Sequence, residues 1–73
     1  MWDKELIKYK SILALNIKTI RLKMGLAQER LALEAGVDRT LVSKIERQLA
    51  NPSLEILVKL AVILKVPITA LLE

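Results

Sequence analysis

The sequence predicts an all-α fold, with residues 1–73 forming one compact domain of five helices. Apolar residues recur at intervals of three and four along most of the chain, which is the spacing of helices that bury one face. The two glycines and two prolines lie between these periodic stretches, where helices are expected to end. No stretch alternates apolar and polar residues in the manner of a half-buried strand.

The composition excludes several classes of function. Of the 73 residues, 53% are hydrophobic and none is Cys or His. The chain therefore lacks disulfides, thiolate metal ligands and the commonest general base. We expect no enzyme activity, no catalytic residue, no metal and no cofactor. The formal net charge of +4 favours an anionic partner.

No membrane or secretory segment is expected. The first ten residues contain no apolar region of the kind found in signal peptides. The longest apolar-rich run, residues 54–64, is interrupted by Glu55 and Lys59 and is far shorter than the roughly 20 residues of a membrane span. We therefore expect a cytoplasmic protein with no membrane partner.

The first helix is predicted over about residues 4–24. Its buried stripe is formed by Leu13, Ile17, Ile20 and Met24. The sequence leaves open whether residues 2–10 continue this helix or whether it breaks near Ser11. Gly25 is expected to end it, because glycine tolerates the positive φ of a helix C-terminus.

Residues 28–47 predict a short helix over residues 28–35, a tight turn and a second short helix over residues 39–47. Gly36 lies where a helix C-terminal glycine is expected, and Asp38 can cap the next helix through its side-chain oxygen. The inward positions are Leu31, Ala32, Ala35, Val37, Val42 and Ile45. The outward positions of the second helix are Arg39, Thr40, Ser43, Lys44 and Arg47. A cationic, donor-rich face backed by a core is what a DNA-reading helix needs.

Ser53 is the predicted N-cap of a fourth helix over about residues 54–65, and Pro67 fits the start of a fifth over residues 68–72. The inward stripe of the fourth helix is Leu57, Leu60, Ala61 and Leu64. Further apolar positions are Ile56, Val62, Ile68, Leu71 and Leu72. They either complete a monomer core covered by the N-terminal segment or form a homodimer interface. The second interpretation is favoured, since so large an apolar patch is unusual on a monomer.

With these elements in place, the chain resembles the lambda Cro and repressor class of helix-turn-helix domains, the XRE family. The resemblance covers about residues 12–72. The matching residues are Ile17, Ile20 and Arg21, then GLAQERLALEAGVDRTLVSKIER from Gly25, then NPSLEILVKLAVILKVP from Asn51. It implies a five-helix, lambda-repressor-like DNA-binding domain. The length and the Asp-Arg-Thr segment are also similar to the small controller proteins of restriction–modification systems.

Two departures from the family pattern bear on helix ends. Position 27, usually Ser or Thr in the family, is Ala, and position 48, often Gly, is Gln. We expect both to affect local geometry at helix ends and to leave the fold intact.

Four residues of the second motif helix are predicted to contact bases: Arg39, Thr40, Ser43 and Lys44. Their spacing places them on one helix face. Arginine can bond the O6 and N7 atoms of guanine together, and threonine offers a methyl group to thymine. Two alternatives stay open at this point: the face is polar because it is solvated, or Lys44 contacts phosphate alone.

The resemblance implies that Gln28, in the first turn of its helix, contacts a DNA phosphate with the help of the helix dipole. The alternative is a solvated glutamine. Arg47 and Asn51 are further candidates for phosphate contacts. The resemblance also implies an ion pair between Arg21 and Glu46, mainly structural, that leaves part of the guanidinium near phosphate.

These features predict a sequence-specific transcriptional regulator that binds a palindromic operator in double-stranded DNA as a homodimer, through the major groove. The alternative is an antitoxin-like or other protein-interaction module with the same fold. A membrane-surface amphipathic peptide is disfavoured by the capped turns. An activator would also need a contact with RNA polymerase, for which the polar region near Glu29 and Glu34 is a candidate. The operator sequence and the sign of regulation stay open.

Overall fold

The computed structural model describes residues 1–73, which form five α-helices joined by short turns. The helices are α1 (Trp2–Lys23), α2 (Gln28–Ala35), α3 (Leu41–Glu46), α4 (Leu54–Leu64) and α5 (Thr69–Leu72). Helix α1 packs against α3 and α5, while α2 packs against α3 and α4. The predicted all-α, five-helix fold is confirmed. None of the helices combines the length and the apolar composition needed to cross a membrane.

Helix α1 is unbroken, which answers the question left open by the sequence. Its 22 residues span about 33 Å, nearly the full 35 Å length of the molecule. Only its second half reaches the core, and residues 1–9 are all exposed. Met24, predicted to belong to the buried stripe, lies one residue beyond the helix and is exposed. The stripe therefore ends at the half-buried Ile20.

The core is a single cluster of aliphatic side chains from all five helices. Its members are Leu13, Ile17, Leu31, Ala32, Val42, Ile45, Leu57, Leu60, Ala61, Leu64 and Leu71. All the inward positions predicted for the second, third and fourth helices lie in this cluster or pack against it. Because neither aromatic residue is in the cluster, close packing of branched aliphatic chains supplies the apolar stabilisation.

One residue of the predicted dimer interface belongs to the core instead. Leu71 is completely buried within the monomer, so its assignment to an exposed interface is wrong. Of the other members, Ile56, Ile68 and Leu72 are half-buried against the core and Val62 is exposed. A helix of four residues contains too few positions to show from its sequence which face is buried.

The glycines act as predicted. Gly25 and Gly36 have φ of +70° and +69°, in the left-handed region that ends a helix without steric cost. Gln48, which stands where the family often has glycine, also adopts a positive φ of 61°. Lys65 does the same at φ 60°, so α4 ends one residue earlier than predicted. Helix α5 begins at Thr69, one residue later than predicted.

The N-terminal caps of α2 and α4 differ in chemistry. The Ser53 hydroxyl oxygen accepts a hydrogen bond from the Ile56 amide at 3.2 Å, which confirms the predicted cap of α4. Ala27 occupies the equivalent position before α2 and can offer no side-chain acceptor. The start of α2 therefore lacks a contact that contributes about 1 kcal/mol elsewhere.

A buried polar network joins α1, α2 and α3. Arg21 donates to Glu46 through Nε at 2.7 Å and through Nη2 at 3.0 Å. Its Nη1 donates to the Leu26 carbonyl oxygen at 2.8 Å, and the Gln28 amide nitrogen donates to Glu46 at 3.1 Å. The side chains of Arg21 and Glu46 are only 8% and 5% exposed. The ion pair predicted between Arg21 and Glu46 is therefore present, and its burial is consistent with the mainly structural role expected of it.

A second polar contact holds the C-terminal residues on α1. The side-chain nitrogen of Asn16 donates to the carbonyl oxygens of Leu71 at 3.1 Å and of Glu73 at 3.0 Å. Carbonyl groups at the end of a helix have no partner within that helix. Asn16 supplies partners from α1 and so fixes the position of α5.

We expect Glu46→Ala to lower the free energy of unfolding by about 3–5 kcal/mol, because the Arg21 guanidinium would stay buried without its carboxylate. Chemical denaturation followed by helical circular dichroism measures this loss. The double variant Arg21→Met with Glu46→Leu should recover most of it, since no unpaired charge remains.

The matched control is Glu34→Ala, which removes the exposed Arg30–Glu34 pair on α2. Exposed pairs of this kind contribute about 0.3–0.5 kcal/mol, so this variant should unfold almost as the parent does. Equal losses in Glu46→Ala and Glu34→Ala would contradict the structural importance of the buried pair.

Candidate nucleic-acid interface

Helix α3 has one face in the core and one face in solvent. Val42 and Ile45 are buried in the aliphatic cluster, while Lys44 is exposed, as are Arg39 and Thr40 in the turn before the helix. Six residues are too few for a helix to be stable alone in water. The position and orientation of α3 are therefore set by its buried side chains and by the Glu46 network.

The start of α3 differs from the prediction. Regular helix begins at Leu41, and Arg39 and Thr40 lie in the turn that precedes it. The Asp38 side-chain oxygen accepts hydrogen bonds from the Thr40 amide at 2.8 Å and from the Thr40 hydroxyl at 2.6 Å. The hydrogen bond from the Thr40 backbone amide is one of the contacts predicted for Asp38. These contacts use donors that a regular first helical turn would leave free.

These hydrogen bonds also affect the pKa of the Asp38 carboxyl. The Thr40 hydroxyl, followed by the Thr40 amide, holds the pKa of the Asp38 carboxyl below its ordinary value of 3.8. The stability that this carboxylate contributes to the folded turn is fully present above the ordinary pKa, and it is lost as the pH falls from there through the lowered pKa. Because the Thr40 hydroxyl hydrogen is already bonded, its methyl group and oxygen lone pairs are what Thr40 can offer a ligand.

The cationic side chains of this region have no carboxylate partner. Arg39 and Lys44 form no ion pair, whereas Arg30 and Lys59 each pair with a glutamate on their own helix. Arg47 follows α3, and its Nε lies 3.4 Å from the Ser43 carbonyl oxygen. Unpaired cations on α3 and at its two ends attract an anionic partner.

Ser43 completes the face predicted to read bases. It is half-buried and lies one helical turn after Arg39. The four predicted base-contacting residues therefore occupy α3 or the turn before it, and three of the four are exposed.

The predicted phosphate contacts separate into two groups. Arg47 and Asn51 are exposed near the end of α3 and in the loop before α4. Gln28 is half-buried, and one of its amide hydrogens is used by Glu46. Its second amide hydrogen stays free.

The phosphate contact predicted for Arg21 stays a prediction, which the structure restricts. The guanidinium is largely buried, and each of its three nitrogens already donates one hydrogen bond, to Glu46 or to the Leu26 carbonyl oxygen. One hydrogen on each Nη atom is left for a further partner. The link between Gln28 and Glu46 was not predicted. These two residues are 18 positions apart on different helices, so no local pattern connects them.

Comparison with known proteins places this geometry in a family. A helix-turn-helix family model matches residues 17–71. A hypothetical transcription factor of Neisseria meningitidis serogroup B is 40% identical over 57 residues, which are 78% of this chain. The chain spans about half, 54%, of that relative's length. The crystal structure of the hypothetical transcription factor NHTF from Neisseria matches with a TM-score of 0.87 and 38% identity, covering 89% of this chain and 75% of the other.

Two further solved structures share the fold. The restriction-modification controller protein C.AhdI from Aeromonas hydrophila matches with a TM-score of 0.76 and 35% identity, covering 93% of this chain and 97% of the other. An HTH_3 family transcriptional regulator from Vibrio cholerae matches with a TM-score of 0.84 and 29% identity, covering 90% and 37%.

The family match begins within the last seven residues of α1 and continues into α5, so it contains the buried ion pair and the whole of α3. The relatives are described as transcription factors, regulators or controllers. The chain therefore belongs to the XRE-type helix-turn-helix family of DNA-binding transcription regulators.

Proposed function

We propose that this protein is a sequence-specific regulator of transcription, which binds a palindromic operator as a dimer by inserting α3 into the major groove. The observation that carries this proposal is the division of α3 between a fully buried aliphatic face and an exposed face with unpaired cations. A helix fixed in this way can bring its polar side chains to base edges without losing its packing.

The exposed residues suit the hydrogen-bonding groups of the major groove. Arg39 can bond bidentately to the O6 and N7 atoms of a guanine, and Lys44 can reach either a base or a phosphate. Ser43 can donate or accept. Thr40 would contribute its methyl group to a thymine or its oxygen as an acceptor, because Asp38 holds its hydroxyl hydrogen.

Phosphate contacts would set the position of α3 on the duplex. The N-terminus of α2 carries free backbone amides and a favourable dipole, and Gln28 lies in its first turn with one amide hydrogen free. Arg47 and Asn51 lie beyond the other end of α3. Contacts on both sides of the motif would fix its register without reading sequence.

A dimer would place two copies of α3 on successive major-groove faces, about 34 Å apart. The remaining members of the predicted interface, Ile56, Val62, Ile68 and Leu72, lie on α4, on α5 or just before α5. The similarity to the controller protein C.AhdI, at 35% identity and a TM-score of 0.76, supports a controller-like role within the class. Glu29 is the acidic side chain of α2 without an ion pair and would be available to RNA polymerase.

A protein-interaction module of the antitoxin type is the second candidate. The observation that favours it is the row of exposed apolar side chains on α4, formed by Leu54, Val58 and Val62. Such a module would keep its protein complex when Arg39 and Lys44 are replaced, whereas a regulator would lose operator binding.

We expect selection from a random DNA pool to return an inverted repeat with half-sites about one helical turn apart. The two-fold symmetry of a dimer requires this symmetry in the site. Sequencing of the bound pool gives the class of function, the number of subunits and the spacing together. A pool without a consensus would contradict sequence-specific binding.

We expect Arg39→Ala to weaken binding to the selected operator about 10- to 100-fold and to relax the base preference at one position of each half-site. Lys44→Ala should reduce affinity as well. If Lys44 contacts only phosphate, this loss will be uniform across sequences, and the slope of log affinity against log salt will fall by about one per half-site.

The control for Lys44→Ala is Lys59→Ala, which removes a lysine of α4 that is paired with Glu55. Its operator affinity should stay within about threefold of the parent. Fluorescence anisotropy with labelled operator measures the affinity of each variant, and circular dichroism confirms that each is folded. Unchanged affinity in both Arg39→Ala and Lys44→Ala would exclude α3 as the reading helix.

A further inference from the structure

The first half of α1, residues 2–10, carries an apolar stripe that the monomer leaves in solvent. Trp2, Leu6 and Tyr9 follow one another at intervals of four and three, and the next member at the same spacing is Leu13. Leu13 is buried in the core, whereas the other three are exposed. One continuous helical stripe therefore begins in solvent at Trp2 and ends in the core at Leu13.

An apolar groove lies beside this stripe. One wall is formed by Leu6, Tyr9 and Leu13 of α1, and the other by Pro52, Leu57 and Leu72. The groove has a volume of about 200 Å³. A second, more open depression continues from Tyr9 to Ile68 and Leu72, which are members of the dimer interface predicted from the sequence. The two apolar surfaces are therefore contiguous.

A standard interface between two subunits buries about 800 Å² on each partner. With Leu71 in the core, the interface predicted from the sequence retains one exposed side chain, Val62, and three half-buried ones. Other exposed apolar side chains must therefore contribute to an interface of that area. Trp2 and Tyr9 are 73% and 43% exposed. Since an aromatic side chain can bury about 150–250 Å², these two add roughly 200–300 Å² per subunit.

We propose that a second copy of this chain covers the stripe, with the first halves of the two α1 helices packed antiparallel about a two-fold axis near Leu6. In this register each Leu6 meets the partner's Leu6. Each Trp2 lies four residues from the axis and reaches the partner's Tyr9, at the edge of the partner's groove. The interface is self-complementary, as two-fold symmetry requires. This inference rests on the dimer of the proposed function and names the surface through which the subunits meet.

The charges beside the stripe favour the antiparallel direction. Asp3 and Lys10 are seven residues apart, so they lie two turns apart on the same side of the stripe. Antiparallel packing brings each Asp3 next to the partner's Lys10 and forms two ion pairs. In a parallel pair related by a two-fold axis, this side of the stripe would face the opposite side of the partner's stripe, so Asp3 and the partner's Lys10 would not meet. In the monomer, Lys10 has no carboxylate partner, and Asp3 contacts only the terminal ammonium at 3.5 Å.

Trp2 is the only tryptophan and therefore reports directly on this interface. We expect sedimentation to show a dimer, and the Trp2 emission to shift to shorter wavelength as the protein concentration rises through the dissociation constant. Leu6→Glu should raise that constant about a hundredfold or more, because the two-fold axis places the substitution twice at the centre of the interface. Both measurements use the full chain without DNA.

The matched control is Leu15→Glu. Leu15 is on the same helix, nine residues after Leu6, and its side chain points to the opposite side of the helix. It is 66% exposed, compared with 38% for Leu6. Its dissociation constant should stay within about threefold of the parent. An equal effect of the two variants would overturn the proposal.

Two further variants test the register. The chain contains no cysteine, so Leu6→Cys introduces a unique thiol that should form a disulfide-linked dimer under mild oxidation, while Leu15→Cys should not. Asp3→Lys should weaken the dimer, and adding Lys10→Asp to it should restore the affinity by reversing both charges.

Three results would overturn this interface. The first is a dimer in which Trp2 emission stays that of exposed indole and Leu6→Cys does not cross-link. The subunits would then meet elsewhere, and operator binding as a dimer would stand. The second is a monomer at high micromolar concentration. The third is a Trp2 shift that appears only with phosphatidylglycerol vesicles, which would identify a lipid surface as the occupant. Base reading by Arg39 is tested separately and survives each of these results.

Discussion

The buried pair of Arg21 and Glu46 is the constraint on which the arrangement of the motif depends. It joins the end of α1 to the end of α3, and through Leu26 and Gln28 it also holds the turn and the first residues of α2. A charge of either sign at this depth is stable only with its partner. The pair therefore adds a directional constraint on the relative placement of three helices to the non-directional attraction of the aliphatic core.

Placement of this kind matters most for α3. Its six residues have little helical stability of their own, and its orientation comes from Val42 and Ile45 in the core and from Glu46 in the network. The turn before it is fixed separately by Asp38. Because the backbone of this segment is already ordered, binding a ligand costs little further backbone entropy. The long side chains of Arg39 and Lys44 are the part that still must be immobilised.

Most of the fold could be predicted from the sequence, because its signals are local. The spacing of leucines and isoleucines gave the core, Gly25 and Gly36 gave two helix ends, and Ser53 gave a cap. The sequence was less informative where the position of a side chain depends on contacts distant in sequence. Leu71 sits in a helix too short to show a period, and the burial of Arg21 depends on how Leu26, Gln28 and Glu46 come together.

The sequence predicts which residues form the candidate site better than it predicts the hydrogen bonds that they make. The outward residues of α3 follow from the inward ones, so the exposed face containing Arg39 and Lys44 could be named in advance. The roles of these residues toward DNA remain predictions. The hydrogen bond from the Thr40 amide to Asp38 was predicted, but the one from the Thr40 hydroxyl was not, because residue spacing does not determine side-chain rotamers at a turn. Because the hydroxyl hydrogen is bonded to Asp38, Thr40 can contact DNA only through its methyl group and its hydroxyl oxygen as an acceptor.

The contact of Asn16 with the last residues has a consequence for the order in which the chain folds. It links positions 55 and 57 residues apart, so it closes a loop containing most of the polypeptide and forms only after that closure entropy is met. The motif, by contrast, is built from neighbours in sequence. We therefore expect the segment from α1 to α3 to assemble first, and α5 to dock last and to undock first in the native state.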